Sequence, residues 1–407
     1  MINIGIDWSE THHDICFMND AGAVITRVTV PHSPDGFLKL ETTRQQLGVT
    51  ASECRVGLET AHNLLIDFLW AKGYSQVYVI PPSVVKGTRG RYRQSGARTD
   101  ESDALLLAAS RVLRTDRGRF QPWHPDDALT RQMRVKVSLH AYLTQQTTRF
   151  SNRLRAVLVR YYPAATQVFS GLKTQIALHF VQEFPTPHTA TQLTFTQFKA
   201  FAKAHGYSRP KELPACFARL QQAQPEADPT TIAIYESEAV ALAAVLLNLV
   251  QTQLTVAREL VTLFELHPDY PIFHSLPGAG AFLGPALLVK FGNDRVRFPM
   301  PASVQALAGT CPVTDHSGKR RIIKFRQSCD REFRRIAQQW AIASLAESAW
   351  AQSYWQQARP RCQSDSHAFR CLANRWLAIA WKLWQARVPY DEDYHLQQRA
   401  AHSKPRA

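Results

Sequence analysis

Short apolar runs rich in β-formers open the chain. They occupy residues 2–8, 14–18 and 23–30, and the turn residues Asn19-Asp20-Ala21-Gly22 separate the second from the third. This pattern predicts three consecutive strands of a meander. Residues 37–47 then read as a helix and 54–58 as a fourth strand. A helix over 63–72 stops at Gly73, a fifth strand over 76–80 ends at Pro81-Pro82, and a further helix covers 103–114. The order β-β-β-α-β-α-β-α predicts an α/β domain over residues 1–120, with a mixed sheet and helices on its faces. The first strand would be central and the fourth would lie beside it.

The middle of the chain changes period. Met133, Val137, His140, Leu143, Thr147, Phe150, Leu154, Val157 and Tyr161 step by 4 and 3, the spacing of a coiled-coil seam. One long helix is predicted over 129–161, ended by Pro163. Residues 181–230 carry six prolines and read as an irregular insertion with short helices. A second long helix from about 232 to 266 carries the stripe Ala243, Leu246, Val250, Leu254, Ala257, Val261 and Phe264. The two long helices can pair with each other or with another subunit. Residues 125–268 thus form a coiled-coil and helical linker, and 269–395 a mostly α-helical C-terminal domain. Trp340, Trp350, Trp355, Trp376, Trp381 and Trp384 in that domain read as helix packing rather than base stacking.

Charge narrows the function. Of 407 residues, 48 are Lys or Arg and 33 Asp or Glu, a net charge of +15. Such an excess points to a polyanionic partner, most often nucleic acid. The longest apolar run, 239–250, is broken by Asn248 and is short of the ~20 residues of a membrane span. Asp7 and Glu10 stand where a signal peptide has its basic and apolar regions. No membrane partner and a cytoplasmic location are expected. Seven cysteines without a C-x-x-C pair predict a reducing compartment, no disulfide framework and no zinc site.

Four acids stand out. Asp7 lies within the first strand, in Ile-Gly-Ile-Asp-Trp-Ser, where a carboxylate is costly unless something binds it. Glu59 ends the fourth strand, in Val-Gly-Leu-Glu-Thr. Asp100 and Asp103, in Arg-Thr-Asp-Glu-Ser-Asp-Ala-Leu, share one face at the start of a helix. Taken singly, Asp100 also suits a helix cap, Asp103 the positive helix end, and Glu59 an open surface. Gathered at one end of the sheet, the four repel one another, and oxygen-only ligands favour Mg²⁺ or Mn²⁺. Two such ions ~4 Å apart clamp a phosphodiester.

Three further segments suit a polyanion. Leu276-Pro-Gly-Ala-Gly-Ala reads as a turn between helices whose Gly278 and Gly280 amides suit a phosphate, or as an ordinary turn. Lys319, Arg320, Arg321, Lys324, Arg326, Arg331, Arg334 and Arg335 form a basic run holding only Asp330 and Glu332 as acids. Lys86, Arg89, Arg91, Arg93 and Arg98 make a glycine-rich basic loop that suits structured RNA or the DNA backbone.

Asp7, Gly-Leu-Glu59-Thr and Arg-Thr-Asp100-Glu-Ser-Asp103-Ala resemble the acidic tetrad of the DEDD insertion-sequence transposases, the group numbered one hundred and ten. The order Leu276-Pro-Gly-Ala-Gly, Leu307-Ala-Gly-Thr-Cys-Pro, His316-Ser-Gly-Lys-Arg-Arg and Arg331-Glu-Phe-Arg-Arg resembles that family's second domain. The likeness covers roughly 1–115 and 270–345, and the middle fits. These enzymes are also termed bridge-RNA-guided or seeker recombinases. The resemblance implies an RNase H-like, RuvC-like N-terminal domain and a metal-bound tetrad. It also implies a serine nucleophile that forms a covalent phosphoserine link to DNA. That position is Ser317; Ser328 is the alternative. His316 stands where the family often doubles the serine, and Gln327-Ser-Cys-Asp330 replaces a glycine-centred turn. An element-encoded guide RNA and a dimer or tetramer are implied as partners. Two other readings stay open: a nuclease using metal-activated water, and a non-catalytic nucleic-acid-binding protein.

Overall fold

The computed structural model describes residues 1–59, 64–82, 84–86, 99–114, 120–222, 227–317 and 320–403. They form two compact units, Met1–Pro125 and Asp126–Ala407.

The first unit is built on a five-stranded sheet: β1 (Ile2–Trp8), β2 (His12–Asn19), β3 (Val24–Pro31), β4 (Cys54–Leu58) and β5 (Gln76–Val79). Their order is β3-β2-β1-β4-β5. β1 runs antiparallel to β2 and parallel to β4. The predicted mixed sheet with a central first strand is therefore what forms. Ile4, Ile6, Val56 and Leu58 are wholly buried, each contributing about 1.5–3 kcal/mol. Helices α1 (Pro34–Gln46), α2 (Leu64–Ala71), α3 (Asp100–Ala108) and α4 (Arg111–Arg114) complete the unit.

The helix expected over 103–114 is instead two. Thr99 caps α3 by accepting from the Ser102 amide, which moves the start back to Asp100. The Ser110 hydroxyl accepts from the Val112 amide and starts a new turn. α3 crosses the sheet where β1 and β4 place Gly5 beside Gly57. A Cβ on Gly5 would lie 2.0 Å from the Ala104 carbonyl oxygen and 2.3 Å from the Ala108 nitrogen. Helix main chain therefore rests directly on strand main chain, and no side chain fits between.

The second unit is mostly helical. It contains α5 (Ala128–Tyr161), α6 (Gln175–Glu183), α7 (Pro187–Thr191), α8 (Phe195–Ala204), α9 (Leu213–Leu220) and α10 (Pro229–Glu265). It continues with α11 (Tyr270–His274), α12 (Gly280–Phe291), α13 (Pro301–Leu307), the hairpin β6 (Val313–Ser317) and β7 (Arg320–Lys324), then α14 (Arg331–Ser344), α15 (Ala349–Ala358), α16 (Asp365–Ala386) and α17 (Glu392–Ser403). The two long helices, α5 and α10, pack along each other. Gln253 donates to Thr144 at 2.9 Å, and Lys136 and Arg153 pair with Glu259 and Glu238.

The stripe predicted on α10 holds at Ala243, Leu246 and Phe264 but shifts between them. Val256 and Leu260 are buried, whereas Leu254 is exposed. The reason is a change of partner. The first half of α10 joins a core with Leu154, Phe180 and Phe198, and the second half joins one with Phe291, Trp340 and Trp376. α10 is also long and apolar enough, by length and composition, to cross a membrane. The sequence expectation missed this because it stopped at Asn248, a polar interruption that leaves the average apolar. Trp340, Trp376 and Trp384 are wholly buried and Trp350 nearly so, as expected of core residues.

Candidate active site

The parallel register pairs Ile6 of β1 with Leu58 of β4. Asp7 and Glu59 are the next residues along each strand, so they emerge at the same end of the sheet. On the other side of β1, Asp7 faces Asp14 of β2 across the antiparallel pair. The close seating of α3 on Gly5 brings the first turn of that helix, with Asp100 and Asp103, to the same end. Glu101 points elsewhere and pairs with Arg27 at 2.6 Å.

Asp7 records this crowding. Its carboxyl is raised from 3.8 to about 7, first by burial and then by Asp103, Asp100, Glu59 and Asp14. The other three acids singled out in the sequence thus all act on Asp7. Sequence reasoning missed two neighbours. Asp14 accepts from the Thr29 hydroxyl at 2.5 Å. His12 Nε2 lies 3.8 Å from Asp14 and 3.9 Å from Asp100. The donor atoms of His12, Asp14 and Asp100 all fall within 4.8 Å of one another. The hairpin spacing held the clue, since an antiparallel turn after Trp8 sets residue 14 opposite residue 7.

Carboxylate oxygens and one imidazole suit a hard divalent ion such as Mg²⁺ or Mn²⁺. A half-buried carboxyl pushed up to about 7 by burial and by its acidic neighbours marks a place short of positive charge. The donor set therefore fits a metal.

The hairpin lies in the second unit. Ser317 closes β6 and pairs in register with Arg320, and His316 with Arg321. Gly318 and Lys319, between the strands, lie outside the described residues, as do the side chains of Ser317 and Arg321.

Two family models match the chain. One, described as a transposase of the DEDD, IS110 kind, covers residues 4–163. The other, described as the IS116/IS110/IS902 transposase family, covers residues 270–356. The IS117 mini-circle protein of Streptomyces coelicolor, to which transposase activity is attributed, is 30% identical over 401 residues, 95% of each chain. The chain belongs to the IS116/IS110/IS902 transposase family. The 44.8 kDa protein of insertion element IS116 from Streptomyces clavuligerus is 26% identical over 391 residues, 93% of this chain and 94% of that one. The 42 kDa protein of insertion element IS900 from Mycobacterium paratuberculosis is 25% identical over 334 residues, 80% and 81% of the two.

A transposase cleaves and rejoins DNA, so the disposition of its cations matters. Arg320, Arg331 and Arg335 are exposed. Lys324 pairs with Asp315 at 2.7 Å, Arg326 donates to the Cys311 carbonyl at 3.3 Å, and Arg334 lies 4.4 Å above the Phe325 ring. Those three are already engaged within the transposase. The two acids of the basic run are neutralised by Lys290, at 2.9 Å from Asp330 and 2.7 Å from Glu332. Lys86 is exposed; Arg89, Arg91, Arg93 and Arg98 lie outside the described residues. Gly278 takes φ +71°, and a Cβ there would also lie 2.4 Å from the Ala343 carbonyl carbon, so only glycine fits. Its amide donates to Glu347 at 2.7 Å, so this N–H is occupied by a carboxylate rather than open to phosphate. Gly280, at φ +52°, has open space at its Cβ position.

Proposed function

We propose that this transposase is a metal-dependent, RNA-guided recombinase that joins DNA through a hybrid of acids and a serine. Asp7, Glu59, Asp100 and Asp103 would hold Mg²⁺ or Mn²⁺, with His12 and Asp14 at the rim of the site. The observation that carries this is the rise of Asp7 to about 7 by burial and by the other three acids. An RNase H-like, RuvC-like reading of the first unit is supported by an acid on the central strand, one on its parallel neighbour, and two on a helix seated across them.

The bound ion supplies charge that stabilises the attacking and leaving oxygens of a phosphodiester. Asp7, partly protonated near pH 7, would hold the ion as the carboxylate. Ser317 attacks phosphorus: the Oγ–P bond forms, the bond to one strand end breaks, and the departing oxygen takes the serine proton. The hydroxyl of a second DNA end then attacks the same phosphorus and returns Oγ–H to Ser317. Exposed Arg320 and Arg335 suit phosphate contacts beside the hairpin. The basic loop from Lys86 to Arg98 suits the guide RNA, and the long helices suit coiled-coil contacts in a dimer or tetramer. In function the chain divides at 1–120, 125–268 and 269–395.

A plasmid carrying the gene with its native flanking DNA tests this by amplification of rejoined element ends. Wild type gives the junction product, and Asp7→Ala and Ser317→Ala give none. A junction from Ser317→Ala refutes Ser317 as the nucleophile and leaves metal-activated water or another serine, Ser328 first.

A further inference from the structure

Sequence spacing predicts no zinc site, because no two cysteines form a C-x-x-C pair. Folding brings together what that rule does not see. The 3₁₀ turn Arg359–Arg361 ends in extended backbone at Cys362. Ser364 then caps α16, accepting from the His367 amide at 3.2 Å. His367 and Cys371 are four residues apart, one helical turn, and so share a face. The turn folds Cys362 back onto that face. One donor atom from each of Cys362, His367 and Cys371 lies within 4.8 Å of the other two, and all three residues are half-buried.

We propose that Cys362, His367 and Cys371 bind zinc, as a Cys2His set with one coordination position left to water. Two sulfurs and an imidazole are the donors Zn²⁺ selects over Mg²⁺ or Ca²⁺. Tetrahedral Zn–S bonds of about 2.3 Å place two sulfurs roughly 3.8 Å apart. That separation lies inside the 4.8 Å that bounds the three donor atoms. A disulfide would use both sulfurs and leave the imidazole without a part. Burial, and then the Cys362 thiol, push the Cys371 thiol above its ordinary range, with Arg370 and Arg361 opposing. Binding one Zn²⁺ releases two thiol protons to solvent.

The ion would tie the turn after α15 to the first turns of α16. Those turns carry Arg370, whose guanidinium lies 4.6 Å from the Phe325 ring, just after β7. The site would thus fix the surface against which the end of the hairpin rests. A different cluster, His179, Glu183 and His205, needs no ion, because His205 already pairs with Glu183 at 2.5 Å.

The test uses the full chain. Gel-filtered protein from zinc-supplemented cells is expected to hold about one zinc per chain by mass spectrometry of the metal. Chelator-stripped protein should bind Co²⁺ with a thiolate-to-cobalt charge-transfer band. Cys362→Ser and Cys371→Ser should each lower zinc content about tenfold or more, while Cys311→Ser keeps it. Should a variant not fold, alkylation of the wild-type chain decides. Zn²⁺ should slow labelling of Cys362 and Cys371 about tenfold and a chelator restore it, with Cys311 unchanged. Wild-type protein without zinc and without the cobalt band overturns the proposal. So does a Cys362–Cys371 disulfide recovered from natively alkylated protein.

Discussion

Replacing Asp7 by Asn should strengthen the metal-free first unit while abolishing its use of metal. The folded carboxyl titrates at about 7 against a reference of 3.8. A shift of about 3 units is worth up to ~4 kcal/mol at about 1.4 kcal/mol per unit. Asp7 is partly exposed, so solvent screening brings this to about 2 kcal/mol. Its pKa is raised on folding, so the neutral form favours the fold. That contribution is complete below pH 3.8 and is lost as pH rises through about 7. In EDTA at pH 8 the wild type therefore carries the full penalty, and Asp7→Asn carries none. For a unit of 125 residues, with unfolding entropy of roughly 2 cal/mol/K per residue, 2 kcal/mol corresponds to about 8 °C in Tm. Calorimetry of the full chain should show the first unit of Asp7→Asn melting that much higher at pH 8. Most of the gain should vanish at pH 4.5. Added Mg²⁺ should raise the wild-type transition and leave the variant unmoved. A variant that melts at or below wild type at pH 8 in EDTA, or gains as much at pH 4.5, refutes the account of a charge-crowded site.

Other expectations follow from the same geometry. Gly5→Ala should cost about 1–3 kcal/mol in denaturant unfolding through overpacking. By displacing α3 about 1 Å it should lower junction formation roughly a hundredfold. Leu260→Ala should cost about 2–5 kcal/mol, while Leu254→Ala changes stability by less than about 0.5 kcal/mol; equal losses would restore the stripe predicted from sequence. Lys290→Met should cost about 1–2 kcal/mol by leaving Asp330 and Glu332 without their cation. It should also weaken binding of a DNA duplex in a salt titration, since two uncompensated acids then sit within the basic run.

Much of the first unit was legible because its strands are short, apolar and set apart by turn residues. Position along those strands was enough to bring Asp7 and Glu59 together. Asp14 and His12 were not legible, because their part depends on the register of a hairpin rather than on any motif. The start of α3 was misplaced by three residues, since Thr99 and Ser102 cap it reciprocally and that exchange outweighs apolar spacing. On α10 a single stripe was drawn through a helix that serves two cores, and periodicity carries no sign of a change of partner. Charge counting found the basic run but not its internal pairing. Only contacts show that Lys324, Arg326 and Arg334 are engaged at home and that Lys290 cancels the acids.

The seating of α3 on Gly5 decides which changes this unit tolerates. No rotamer stands between the acid on the strand and the two on the helix, because polypeptide backbone meets polypeptide backbone there. The gap across the site is thus gauged by the thickness of the main chain, a dimension that mutation leaves constant. Ile4, Ile6, Val56 and Leu58 can exchange methyl groups with one another's neighbours over long descent without changing that gauge. A single methyl added at position 5 changes it at once. Core volume and the spacing of the acids are uncoupled in this unit.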